Sequence, residues 1–192
     1  IPLLDRHLER MKASARRLGF AFDRHAARNE LQAATFRLEQ PARVRLLLSP
    51  SGAIAIEAGA LPPAPTAPVA VTLAPLPVSL ADFRLRHKTT DRGFYDAARR
   101  ATGRFEVVFV APDGQLTEGS FTSLFVERDG MLHTPPQSAG LLPGVLRAHL
   151  LAEGRAIESP LYPADLAQGL YVGNAVRGLI RAQLVAAAPS PR

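Results

Sequence analysis

An α+β fold in two lobes is what the periodicity of this chain predicts. Two stretches with apolar residues at helical spacing come first, an alternating stretch with a tight turn follows them, and a strand-rich region with its own turns begins beyond a proline-rich segment.

Leu4, Leu8, Met11, Ala15 and Leu18 recur at helical spacing, with Arg10, Lys12, Arg16 and Arg17 between them. Asp5 suits the positive start of that helix, which ends near Gly19. A second helix is expected over residues 23–36, through Leu31, Ala34 and Phe36, before Pro41 stops it. The period then changes. Val44, Leu46 and Leu48 alternate with arginines, Ser51-Gly52 reads as a turn, and residues 53–57 return as the second arm of a hairpin. Pro62, Pro63, Pro65, Pro68, Pro75 and Pro77 punctuate extended chain, in which residues 69–73 are the best strand. A helix over 91–100 is followed by strands over 105–110, 120–127 and 131–134, a helix over 143–152 and a strand over 170–173. The lobes are therefore expected at residues 1–82 and 83–192, with Lys88 close to the join, where sites tend to form.

With 192 residues and 47% hydrophobic content, the chain is long enough to bury a core. The absence of cysteine excludes disulfides and thiolate chemistry and fits a cytoplasmic setting, and five scattered histidines lack the spacing of a metal site. The chain opens at Ile1, and the expectation is that an upstream segment belongs to the protein. A net charge of +6 invites a nucleic-acid partner, but the arginines are scattered singly or in pairs without stacking aromatics, so cationic pockets for small anions are the better expectation. The uncharged tract near residues 59–80 is broken by proline and is no membrane helix.

Lys88 is the most informative residue, because only two of the 23 basic residues are lysine. Lys12 sits among arginines on a helix and reads as a solvated charge. Lys88, in Arg86-His87-Lys88-Thr89-Thr90, can do what a guanidinium cannot, which is to lose its proton and act as an amine nucleophile.

Downstream, Thr117-Glu118-Gly119-Ser120-Phe121-Thr122-Ser123, Leu132-His133-Thr134-Pro135-Pro136 and Leu141-Leu142-Pro143-Gly144-Val145-Leu146-Arg147 follow in order. This set resembles the class IV aminotransferases, which use pyridoxal 5'-phosphate and include branched-chain and D-amino-acid aminotransferases and aminodeoxychorismate lyase. Arg6-His7-Leu8-Glu9-Arg10 and Val172-Gly173-Asn174-Ala175 extend the resemblance to both ends. It implies a small N-terminal lobe and a larger strand-rich lobe, usually in a homodimer. It also implies that Lys88 holds the cofactor's aldehyde and shuttles the proton, and that Glu118 keeps the pyridine nitrogen protonated. The amides of Val145 and Leu146 after Gly144, the turn at Asn174 and Ala175, and Arg10 are implied to hold the phosphate, with Leu142 on the ring. The chain departs from the family where Ser123 replaces the usual Asn and where Gly93 occupies the position at which branched-chain members carry a tyrosine.

The run from His87 to Arg92 with Tyr95-Asp96-Ala97-Ala98-Arg99 looks most like lyase-type domains that occur fused behind or beside the chorismate-amidating synthase of folate biosynthesis. The reaction then implied converts 4-amino-4-deoxychorismate to 4-aminobenzoate and pyruvate. A substrate with two carboxylates calls for arginines, and Arg84, Arg86, Arg92 and Arg177 are the candidates, the first two on one strand face with Lys88. The alternatives are an aminotransferase for branched-chain or D-amino acids and a catalytically degenerate domain of the same fold.

Overall fold

Helix α1 (Leu4–Leu18) buries Leu8 and Ala15 from the apolar repeat, and Gly19 ends it in the left-handed region at φ 72°, its amide bonded to the Ala15 carbonyl. Helix α2 (Arg24–Thr35) starts at Asp23, whose carboxylate accepts from the amides of His25 at 2.7 Å and Ala26 at 3.0 Å. Strands β1 (Ala42–Leu48) and β2 (Ile54–Ala60) pair antiparallel, with Leu46 opposite Ile56. Leu8, Ala27 and Leu31 pack with Val44, Leu46, Ile54 and Ile56, which gives these elements a core of their own.

They form the first of two compact units in this computed structural model, which describes residues 1–186. The units are Ile1–Ala64 and Pro65–Arg192. The division falls earlier than residue 82, because strand β3 (Val69–Pro75) is a full member of the second unit's sheet and cannot be counted with the first.

After β3 comes a 3-10 turn (Phe83–Leu85), then helix α3 (Gly93–Thr102) and strands β4 (Glu106–Val110), β5 (Leu116–Gly119), β6 (Ser123–Arg128) and β7 (Met131–Thr134). Helix α4 (Val145–Ala152) precedes β8 (Ala156–Glu158), β9 (Leu170–Asn174) and β10 (Gly178–Leu184). The eight strands form one mixed sheet in the order β5-β4-β3-β10-β9-β6-β7-β8. The sheet curls, so that β5 at its edge meets β6 through the turn at 119–122.

Alternation sets the two faces. On β4, Val108 and Val110 join Val71, Leu124, Val126, Leu170 and Val172 inside the curl, while Val107 and Phe109 face α3 with Leu85 and Tyr95. On β6, Phe125 points the other way, to Leu146 and Leu150 of α4. Burying a ring such as Phe109 or Phe125 contributes about 2 to 3 kcal/mol, so these contacts fix the two helices on the sheet.

Three local expectations are corrected. Residues 83–88 are a 3-10 turn and irregular chain instead of a strand, because Asp82 caps the turn by accepting the Arg84 amide at 2.8 Å. The strand expected over 120–127 breaks at 120–122, where the chain is turned by a buried acid described below. Strands β5, β8 and β10 went unread: β5 has four residues, β8 has three, and β10 alternates its buried Ile180 and Ala182 with Arg181 and Gln183. No helix among the described residues is long and apolar enough to cross a membrane.

Candidate active site

Glu118 lies on β5 and is only 4% exposed. Its Oε1 accepts from the Tyr95 hydroxyl at 3.0 Å and from Arg92 Nη2 at 3.3 Å. The Leu142 amide donates to the same carboxylate, and the Lys88 ammonium lies within electrostatic reach of it. Burial pushes the Glu118 pKa up to about 7, against the pull of Arg92 first, then of the Leu142 amide, Tyr95 and Lys88. Lys88 and Glu118 thus share one region, although a whole helix, α3, and strand β4 lie on the path of the chain between them.

The segment that carries Lys88 is anchored upstream. Leu85 is fully buried, and Arg84 is clasped by Asp82 at 2.7 Å and by Asp91 at 2.9 Å. Lys88 itself is exposed, where the reading of it as a reactive amine leads one to expect burial; the irregular chain after the 3-10 turn leaves it outside the packed layers. Arg84 is committed to its two carboxylates and does not share a strand face with Lys88. Arg86 is half-buried and forms no ion pair among the described residues. Arg92, expected as a substrate ligand, is instead bound to Glu118.

The turn after Glu118 is organised by Glu106, which is wholly buried at the start of β4. Its carboxylate accepts from the Ser120 amide at 3.0 Å and hydroxyl at 2.6 Å, the Phe121 amide at 3.2 Å and the Thr122 hydroxyl at 2.8 Å. A Cβ on Gly119 would lie 2.4 Å from Thr122 Oγ1 and 2.6 Å from Glu106 Oε2, so only glycine lets the turn close over that acid. Neither Glu106 nor Tyr95 was picked out as a site residue from sequence. An acid heading the apolar run Glu106-Val107-Val108-Phe109-Val110 and a tyrosine three residues after Arg92 on one helix face were the available signals.

Helix α4 begins at Gly144 without a side-chain cap, and Val145, Leu146 and Arg147 of its first turn are buried. Ser123 lies beneath: a Cβ on Gly144 would come within 2.3 Å of its hydroxyl. Ser123 pairs with Gly173 across β6 and β9, and a Cβ on Gly173 would be 2.9 Å from Leu146 Cδ2. Asn174 Oδ1 accepts from the amides of Val176 and Arg177 at 3.0 Å each, and its Nδ2 donates to the Phe121 carbonyl at 3.2 Å. The start of α4, the turn at 174–177 with half-buried Ala175, and the 119–122 turn are therefore packed as one group, and Leu142 links it to Glu118. Arg177 sits over the Phe105 ring at 5.8 Å. Arg10 is half-buried on α1 of the first unit.

A family model described as class IV aminotransferase matches residues 1–185. A Schizosaccharomyces pombe protein provisionally named an aminodeoxychorismate lyase is 31% identical over 159 residues, which span 79% of this chain and 68% of that protein. A crystal structure from Mesorhizobium loti, provisionally described as an amino-acid aminotransferase, is 39% identical with a TM-score of 0.87 and covers 95% of this chain and 92% of its own. The pyridoxal-phosphate-bound form of a hypothetical aminotransferase from Mycobacterium tuberculosis shares the fold, with a TM-score of 0.78, 22% identity, and coverage of 100% of this chain and 78% of its own.

Proposed function

The chain belongs to the class IV aminotransferase family of pyridoxal-phosphate enzymes, and from that premise we propose that Lys88 holds the cofactor while Glu118 faces its ring nitrogen. The residues present fit such a group: an amine and a buried carboxylate share one region, and the uncapped start of α4, linked to that carboxylate through Leu142, offers amides to an anion. When bound, the cofactor supplies an electron sink for charge that develops beside the substrate's nitrogen.

Every other task falls to the chain. Lys88 Nζ takes a proton from the substrate carbon that bears the amine. Glu118, supported by three donors, holds the proton of the ring nitrogen in place. The amides of Val145 and Leu146 and the turn at Asn174 and Ala175 would hold the phosphate. Leu142 would pack on the ring and keep water from it.

The reaction we infer is the conversion of 4-amino-4-deoxychorismate to 4-aminobenzoate and pyruvate, a step of folate biosynthesis. Lys88 removes the proton of the amine-bearing ring carbon, the ring C–O bond to the enolpyruvyl group breaks and the ring becomes aromatic, and the released enolpyruvate takes up a proton at its methylene carbon to become pyruvate. Arg86, which forms no ion pair among the described residues, and Arg177 are the arginines we assign to the substrate's carboxylates. The relative from Schizosaccharomyces pombe, matched over most of this chain, supports the lyase. The 39% identical structure from Mesorhizobium loti supports a second reading, an amino-acid aminotransferase, for which we would assign branched-chain or D-amino acids as substrates. A homodimer, association with a chorismate-amidating synthase component and a cytoplasmic setting complete the proposal.

The buried Glu118, held by Tyr95, Arg92 and the Leu142 amide, carries it, with the charge of Lys88 near enough to act on that carboxylate. Protein supplied with the cofactor is expected to absorb near the visible and to lose that band in Lys88→Ala. Pyruvate released from aminodeoxychorismate identifies the lyase; turnover of leucine or D-alanine with 2-oxoglutarate, and no pyruvate, identifies the aminotransferase. A colourless protein that takes up no cofactor overturns both.

A further inference from the structure

We propose that Arg92 and Tyr95 are positioning residues for Glu118: Arg92 sustains the negative charge of the buried carboxylate, and Tyr95 fixes its direction. Their geometry stands by itself, whereas its meaning for catalysis rests on the reading of Glu118 as the partner of the ring nitrogen.

Arg92 is the residue that precedes α3 and Tyr95 lies in its first turn, and both donate to the same oxygen, Oε1. Arg92 is held on three sides. Its Nη1 donates to the Arg84 carbonyl, its guanidinium lies 4.4 Å over the Tyr95 ring, and its Nη2 meets Glu118 at 3.3 Å. The Tyr95 ring in turn stacks on Phe109, with centroids 4.8 Å apart and planes at 20°. A side chain so enclosed, 1% exposed, cannot swing its hydroxyl away.

The choice of an arginine has a chemical reason. Two cations reach Glu118, and Lys88 is the one assigned to covalent and proton-transfer work, so its charge changes during turnover. A guanidinium keeps its proton throughout. With the Arg92 side chain only 12% exposed, solvent screens it little. Arg92 therefore favours the charged form of Glu118 against its burial, steadily while Lys88 goes through its cycle, and the acid is aimed before any ligand arrives.

The test follows the titration of Glu118 by carboxyl carbon NMR, in protein without cofactor, for the original chain and for Arg92→Gln, Arg92→Lys and Tyr95→Phe. Arg92→Gln is expected to raise the Glu118 pKa by about one unit or more, as befits loss of a cation a few ångströms away. Arg92→Lys, which restores charge without the fork, and Tyr95→Phe, which retains the stack, are expected to raise it less. Cofactor affinity should fall about tenfold in Arg92→Gln and be largely recovered in Arg92→Lys. A Glu118 titration unmoved by Arg92→Gln overturns the proposal. Should that variant fail to fold, an unmoved titration in both Arg92→Lys and Tyr95→Phe overturns it equally. Glu118→Gln separates the two readings: unaltered cofactor affinity and absorption there would remove Glu118 from the ring nitrogen and leave the shift caused by Arg92 standing.

Discussion

The hydroxyl of Ser120 donates to the Glu106 carboxylate at 2.6 Å, so an acid on β4 takes hold of the turn that ends β5. Burial pushes the Glu106 pKa up, and the surrounding hydroxyls and amides pull it back. Glu106→Ala would strand the Ser120 and Phe121 amides and two hydroxyls in the interior. We expect a loss on the order of 3 kcal/mol in urea denaturation, with Glu106→Gln costing less because its carbonyl still accepts. Cofactor affinity should fall in parallel, since the displaced turn begins one residue after Glu118.

Gly144→Ala would bring a methyl to 2.3 Å from Ser123 Oγ. Either the start of α4 or β6 must yield, at a cost of about 1 to 3 kcal/mol. Adding Ser123→Ala removes the obstructing atom. The double variant should therefore be more stable than Gly144→Ala alone, and thermal melts of the set would show the coupling. Additive losses would mean that the contact is not the cause.

Stability should depend on pH through Glu118, whose pKa is pushed up to about 7 from an ordinary 4.5. The folded chain then holds that proton more tightly than the unfolded one. Stability contributed by this group is fully present below the lower value, falls as pH rises between the two, and is level above; the drop is about 3 kcal/mol. Glu118→Gln carries no such proton. Urea midpoints at about pH 5 and about pH 8 should differ more in the original chain than in Glu118→Gln, and equal differences would refute the assignment.

Arg147 is 3% exposed, donates to the Pro135 carbonyl at 2.8 Å and is ion-paired with Glu158. It fastens the first turn of α4 to the ends of β7 and β8. Arg147→Met keeps much of the volume but leaves that carbonyl unpaired, and we expect a loss of about 2 kcal/mol, measured by urea denaturation. A cost near zero would show that water replaces the guanidinium.

Much of this was legible in the residues. The apolar spacing of Leu8 and Ala15 located α1, Asp23 marked the start of α2, and the order from Lys88 through Glu118 to Arg147 marked the strand-rich unit with its fold. Tertiary partners were not legible. Alternation of Arg84 and Arg86 resembled a strand until Asp82 and Asp91 closed on Arg84. The break at 120–122 depends on Glu106, an acid distant in sequence that no local pattern connects to that turn. Arg92 read as one of several arginines, because its identity as the partner of Glu118 is created by the packing of α3 on β4 and β5.

Among the described residues, strand β10 lies between β3 and β9 and is the strand that joins the half-sheet β5-β4-β3 to the half-sheet β9-β6-β7-β8. During synthesis on the ribosome, both halves emerge with a bare edge before Gly178–Leu184 appears. The keystone arrives late, and until it does the growing polypeptide offers two sticky borders to its neighbours.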